Sequence, residues 1–293
     1  MGTAGAVALT ATAVAIAAPA MIPGPDGFQQ NLKLNSKQGA FFDVYQPPDQ
    51  YNDNCALGDL GGAIADDRGF SPGNDASGPN GGAGDTFDGG LVLWVKGKNG
   101  RSPFEDSDST GNLKGRRIVV GAEQVRGLVV KRIERAMKNT PTLRSLIKLK
   151  NPGGQALVRT LIWDSDLGTD GSEVVLLSSD GDRKLEDDDR WIVFADDREN
   201  PGDDIGTLGL YGRGGSVTPT QVFNPLKPKD GCISFKVRVR IPANGVRYLL
   251  FFTQSNDDKP PARKRARKLN DPGGELVDGL SGNIRSKIVN WDL

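Results

Sequence analysis

Apolar and polar residues alternate with a period of two through most of the chain. The cleanest stretch is Ser234-Phe235-Lys236-Val237-Arg238-Val239-Arg240-Ile241, which turns through Pro242-Ala243-Asn244-Gly245 into a second strand pattern ending near Thr253. A period of two predicts a strand with one face buried and one solvated. The same texture predicts one or two strands within 28–46. It predicts further strands at 90–95, 117–120, 127–135, 142–150, 156–163, 174–177, 191–194 and 208–211. In 142–150, Leu143, Ser145, Ile147 and Leu149 oppose Arg144, Lys148 and Lys150, so the basic groups are expected on the solvated face. Short strands at close spacing with almost no helical periodicity between them predict an all-β fold, a β-sandwich with many strands.

Two regions depart from the alternation. Residues 47–88 are dense in Gly, Asp, Asn and Pro and predict a long loop. The tail 260–293 predicts a helical segment. Pro260-Pro261 opens a helix over Ala262–Leu269, Asp271-Pro272-Gly273-Gly274 stops it, and a short helix or turn runs to Ile288-Val289-Asn290-Trp291. Nothing between 28 and 293 reads as an interdomain linker, so residues 21–293 are expected to form one β-sandwich domain.

Residues 1–20, MGTAGAVALTATAVAIAAPA, are uncharged and apolar and end in the small-x-small pattern Ala18-Pro19-Ala20. They read as a secretory signal peptide, although no Lys or Arg precedes the apolar stretch; a retained membrane anchor is the competing reading. With cleavage, the mature chain is expected to be secreted or at the cell surface, with no stable membrane span. The two cysteines, Cys55 and Cys232, are too far apart for a CxxC motif and are expected to form a disulfide in an exported chain; two buried thiols are the alternative.

Histidine is absent. That excludes Ser-His-Asp and Cys-His catalysis, histidine bases and His-ligated zinc or haem. Chemistry is left to carboxylates, Lys, Tyr and hydroxyls, and any metal should be a hard, oxygen-liking ion. The formal net charge is zero, from 37 basic and 37 acidic side chains, which predicts no nucleic-acid or membrane partner. The charges are unevenly spread: 114–150 holds eleven basic and two acidic residues, whereas 164–204 holds fifteen acidic and four basic.

Within the acidic stretch, Asp164, Asp166, Asp170 and Glu173 form a candidate calcium site, with Gly168 and Gly171 allowing tight turns. The spacing begins like an EF-hand and then fails, since Thr169 stands where that loop needs Gly and Val175 where it needs Glu. An ordinary β-turn is the alternative. Asp180, Asp182 and Glu186–Asp189 form a second acidic group, and Asp196, Asp197, Asp203 and Asp204 a third. Paired carboxylates also serve glycosidases, but the sequence does not single out two. Sugars stack on exposed aromatic rings; Trp94, Trp163, Trp191 and Tyr211 are available, with a place in the core as the alternative for each. Arg263-Lys264-Arg265-Ala266-Arg267-Lys268 reads as one face of a surface helix that could dock on the acidic region.

The run Leu143–Leu149, the turn Asn151-Pro152-Gly153, the strand to Asp164, Leu167-Gly168-Thr169-Asp170-Gly171, Ser178-Ser179-Asp180-Gly181-Asp182, Asp189-Arg190-Trp191, Asp278-Gly279-Leu280-Ser281 and Ile288-Val289-Asn290-Trp291 form a pattern. It resembles an uncharacterised module of large secreted bacterial proteins, over about residues 85–293. The resemblance implies an extracellular β-sandwich with a C-terminal helical segment and carries over no catalytic residues. The functional expectation is an extracellular binding or surface-structural module, calcium-stabilised, with carbohydrate or a cell-surface polymer as partner. The alternative is a carbohydrate-active hydrolase using a carboxylate pair.

Overall fold

Alternation along one strand records which faces are buried, and here it resolves into three layers. A computed structural model of the chain describes residues 29–33, 41–45, 73–77, 85–104, 111–167, 173–196, 205–223, 232–256 and 258–293. The first strands, β1 (Gln29–Lys33), β2 (Phe41–Tyr45), β3 (Gly73–Ser77) and β4 (Asp85–Gly90), form an antiparallel four-stranded sheet in chain order. The stretch expected as one long loop therefore contains β3 and the start of β4. The remaining strands are β5 (Val92–Gly97), β6 (Gly100–Pro103), β7 (Gly111–Lys114), β8 (Arg117–Val125), β9 (Leu128–Ala136), β10 (Thr142–Lys150), β11 (Leu157–Asp166), β12 (Glu173–Ser178), β13 (Trp191–Asp196), β14 (Ile205–Gly209), β15 (Pro219–Phe223), β16 (Cys232–Ile241) and β17 (Val246–Asn256). They build an eight-stranded sheet, ordered β12-β13-β14-β17-β10-β9-β8-β7, and a five-stranded sheet, ordered β15-β16-β11-β5-β6.

The two larger sheets enclose one apolar core. Trp163 of β11, Phe235 of β16 and Phe251 of β17 meet at its centre, with ring centroids 4.7–5.6 Å apart. Phe87 of β4 joins them edge-on to Phe194 of β13, and its N–H donates to Leu167 O at 3.0 Å. At Gly206 of β14 the Phe194 ring occupies the space where a side chain would stand, which explains a glycine inside a central strand.

The expected solvated face of β10 is corrected by the structure. The outward side chains of the eight-stranded sheet, among them Leu146, Leu250, Phe252 and Trp191, are buried under the C-terminal tail. The tail supplies Ala262 and Ala266 of α1 (Lys259–Arg267), then Leu269, Leu276, Leu280 and Trp291. Alanines one turn apart let the helix sit close to the sheet. Arg144 of β10 is consequently 4 % exposed, with its Nη1 donating to Leu276 O and Asp278 O at 3.0 and 2.9 Å. Burial, with Arg135 nearby, pulls its pKa down to about 10.

The last residues complete the sheet. β14 pairs only with Phe252–Asn256 of β17, which leaves the earlier half of that edge without a strand. Ile288 forms a parallel bridge to Tyr248, whose N–H donates to Lys287 O at 2.9 Å and whose O accepts from Val289 N–H at 3.0 Å. Asn290 then acts as a side-chain surrogate for the ladder: Oδ1 accepts from Leu250 N–H at 2.9 Å, and Nδ2 donates to Leu250 O at 2.7 Å and Leu210 O at 2.9 Å.

Candidate functional site

The side chains of the five-stranded sheet that alternate with Leu93, Val95, Leu161, Trp163, Phe235, Val237 and Val239 face away from the core. Register places them in rows across the strands. One row runs Arg101, Lys96, Thr160, Arg238 over β6, β5, β11 and β16. The next runs Pro103, Trp94, Ile162, Lys236, and a third runs Val92, Asp164, Ser234. Val158 and Arg240 pair at the open end. Five cations thus share one sheet face, with strands about 4.8 Å apart and successive same-face residues about 6.7 Å apart.

The face is graded. Asp164, Ser234, Ile162 and Trp94 are buried, whereas Lys96, Arg238 and Arg240 are exposed and Val158 is 38 % exposed, the exposed large apolar residue among those described. The Arg101 guanidinium lies over the Trp94 ring at 4.5 Å, a cation–π contact. Trp94 Nε1, Ser234 Oγ and Arg101 Nη1 are buried atoms without a hydrogen-bond partner among the described residues. The pKa of Lys236 lies below its ordinary value, first because of burial and then because of the Lys96 charge; Asp164 opposes this and Arg101 adds to it. Like charges therefore dominate around Lys236. Lys96, Arg101, Arg238 and Arg240 form no ion pair among the described residues.

The proposed calcium ligands lie at the end of one strand, in the connection after it and at the start of the next. Asp164 is buried on the outer face of β11, and Asp166 is the last residue of β11, opposite Cys232. Glu173 begins β12 in the other large sheet, and Asp170 lies outside the described residues. No group of three or more Asp, Glu or Cys side chains among the described residues is placed to hold a metal ion. Cys55, the expected partner of Cys232, lies outside the described residues, as does the leader 1–20.

The second acidic group is a turn that bonds to itself. Asp182 accepts from Ser178 Oγ at 2.9 Å and Lys184 N–H at 2.7 Å; Asp189 accepts from Ser179 N–H at 3.2 Å and Glu186 N–H at 2.8 Å. Hydrogen bonding from Ser178 lowers the Asp180 pKa, and burial raises that of Asp189. The aromatic residues considered for sugar stacking are all buried: Trp163 and Trp191 in the core layers, Tyr211 with its hydroxyl donating to Asp188 O at 2.6 Å, and Trp94 beneath Arg101. The basic helix docks on sheet backbone and Asn256, through Arg263 to Leu176 O and Arg265 to Asn256 Oδ1.

The basic face went unremarked in the sequence. Its signal was the polar half of the β16 alternation, Lys236, Arg238 and Arg240; Lys96 and Arg101 join it only through strand register.

The molecule thus belongs to the antiparallel β-sandwiches, with a helical third layer and one cationic sheet face. No family model and no curated protein matches the sequence. Among solved structures, the chain is similar to a structural-genomics protein from Synechocystis at 7 % identity, covering 81 % of this chain and 99 % of that one, with a TM-score of 0.46. It is similar to a polysaccharide lyase at 9 % identity, over 85 % of this chain and 35 % of that one, with a TM-score of 0.38. An aldose 1-epimerase-like protein from Klebsiella pneumoniae gives 9 % identity, 85 % and 93 % coverage, and a TM-score of 0.38. At single-digit identity no side chain is carried over from any of the three.

Proposed function

We propose that this protein is an extracellular binding module whose five-stranded sheet face holds an acidic polysaccharide of a cell surface. The observation that carries this reading is the set of four cations, Lys96, Arg101, Arg238 and Arg240, without ion pairs among the described residues and displayed on neighbouring strands. A flat, regular array of positive charge suits an extended polyanion with repeating carboxylates. Thr160 sits between Lys96 and Arg238, supplying a hydroxyl between charges about 10 Å apart. The apolar, uncharged leader supports export and hence a surface polymer. No helix among the described residues is long and apolar enough to cross a membrane.

Polygalacturonate is expected to bind, with an affinity that falls as salt rises, and uncharged dextran is not. The double variant Lys96→Glu/Arg238→Glu changes two exposed side chains and should reduce polygalacturonate binding by about a hundredfold, roughly tenfold for each reversed charge. Equal binding of both polymers, or an unchanged affinity in the double variant, would sink the reading. Calcium belongs to the same proposal as an ion on the Asp164–Glu173 connection, which joins the two large sheets. Thermal unfolding in calcium against chelator tests it: at a hundred times Kd the ion should add about 2.7 kcal/mol, and an unchanged midpoint removes it.

A further inference from the structure

A cleft lies on the outward side of the eight-stranded sheet, away from the core. It measures about 440 Å³ and opens between the start of β10, the end of β17 and the C-terminal tail. Its floor is the register pair Thr142 and Gln254, both on the outward face. Gln254 is 2 % exposed; Nε2 donates to Thr142 Oγ1 at 3.1 Å, and Oε1 has no partner among the described residues. Exchanging the two ends of the amide would leave the other end unpaired, so one polar atom stays unsatisfied either way. Thr140 Oγ1, on the same wall, is also buried and without a partner among the described residues. A buried polar atom left unpaired costs about 1–3 kcal/mol. Two such atoms in one cleft mark a place prepared for a partner.

The rim supplies the charge. Arg267 and Lys268 are exposed there and make no ion pair among the described residues. Of the two acids at the rim, Glu275 is already occupied, accepting the N–H groups of Lys138 and Asn139. Asp271 is exposed and offsets one cation. A ligand that satisfies this arrangement needs hydroxyls for Gln254 and Thr140 and a carboxylate for Lys268 and Arg267.

We infer that this cleft binds a small polyhydroxylated carboxylate, a sugar acid, with its hydroxyls on Gln254 and Thr140 and its carboxylate at Lys268. The inference does not rest on the basic sheet face, which lies beyond the core. A free sugar acid and the terminal residue of an acidic polysaccharide present the same group.

Calorimetry on the full chain tests it with glucuronate, a short uronic-acid oligosaccharide, sorbitol and acetate. Glucuronate or the oligosaccharide should bind, and sorbitol and acetate, each lacking half of the recognition, should not. Glucuronate binding identifies a free sugar acid; binding by the oligosaccharide alone that persists in Lys96→Glu/Arg238→Glu identifies a polymer terminus. Lys268→Glu, at an exposed position that spares the fold, should weaken binding about tenfold, as should Gln254→Met. Lys96→Glu/Arg238→Glu should leave glucuronate binding unchanged. Failure of both sugar acids to bind overturns the inference, and so does native affinity in Lys268→Glu. Loss of glucuronate binding in the sheet-face variant overturns it too, by placing the ligand on the other surface. Should Gln254→Met fail to fold, Lys268→Glu decides.

Discussion

Asn290→Asp is expected to destabilise the protein by about 3–5 kcal/mol, the cost of a buried charge set against unmatched partners. Asn290 is 1 % exposed and makes three hydrogen bonds, two of them as a donor to Leu210 O and Leu250 O. A carboxylate has no N–H to give and would face two carbonyl oxygens at contact distance. Asn290→Ala removes the same bonds without adding charge, so it should cost less, about 2–3 kcal/mol for the orphaned Leu250 N–H and Leu210 O, since Leu250 O keeps the Trp291 Nε1 donor at 2.7 Å. Urea unfolding midpoints distinguish the two. The sign with pH follows from burial. The introduced carboxyl has a folded-state pKa above its unfolded value of about 3.9, so its extra penalty is absent below that pH and grows as pH rises through the folded value. The gap between the two variants should therefore close towards about pH 4. A gap that stays constant across pH would mean that this position is open to water and that the surrogate ladder does not form.

The second large effect is expected inside the sandwich. On β9 the inward positions are Leu128, Val130, Arg132, Glu134 and Ala136, so an ion pair occupies two core sites, both fully buried. Arg132 Nη1 donates to Leu91 O at 2.8 Å, and Ser145 Oγ donates to Glu134 Oε2 at 2.6 Å. Arg132→Met would leave Glu134 charged in the core and should cost about 3–5 kcal/mol. Arg132→Met/Glu134→Leu removes both charges and should be more stable than that single variant, even with Leu91 O and Ser145 Oγ unpaired. A double-mutant cycle in urea measures the coupling. Additive losses would show that the two side chains are solvated independently. The pair also ties β9 of one sheet to the corner before β5 of the other, because Leu91 stands between β4 and β5 with φ of 62°.

Alternation announced the strands that have one buried and one open face, with β16 the clearest. It missed β3 and β4 in the Gly- and Asp-rich stretch, and it missed β6, β7 and β15, which are edge strands of the two larger sheets. An edge strand needs no apolar stripe; Gly100–Pro103 has none, and Pro219 is tolerated at the start of β15 because an edge leaves backbone N–H groups unpaired. β14 was expected at 208–211 and lies at Ile205–Gly209, since Leu210 and Tyr211 are buried in the connection that follows rather than in the ladder. β10 was misjudged on one face for a different reason. What covers Arg144 and Leu146 is a tail more than a hundred residues later, and no local period encodes that. The cationic face was half legible: Lys236, Arg238 and Arg240 lie on the polar side of β16, but their convergence with Lys96 and Arg101 is a property of pairing across β11. The acidic run drew attention to Asp164 as an ion ligand, yet its strand parity sets it among cations.

The helical third layer has a consequence for how this chain is made. Every strand that it covers is synthesised first. Until residues 259–291 emerge, Trp191, Leu250 and Phe252 have no cover, and the earlier half of β17 has no partner on one edge. An apolar sheet face beside an open edge is the surface that pairs with other chains. The nascent protein is thus sticky until residues 259–291 have emerged, and its escape from aggregation depends on how quickly that segment arrives, or on whatever shields the sheet while it waits.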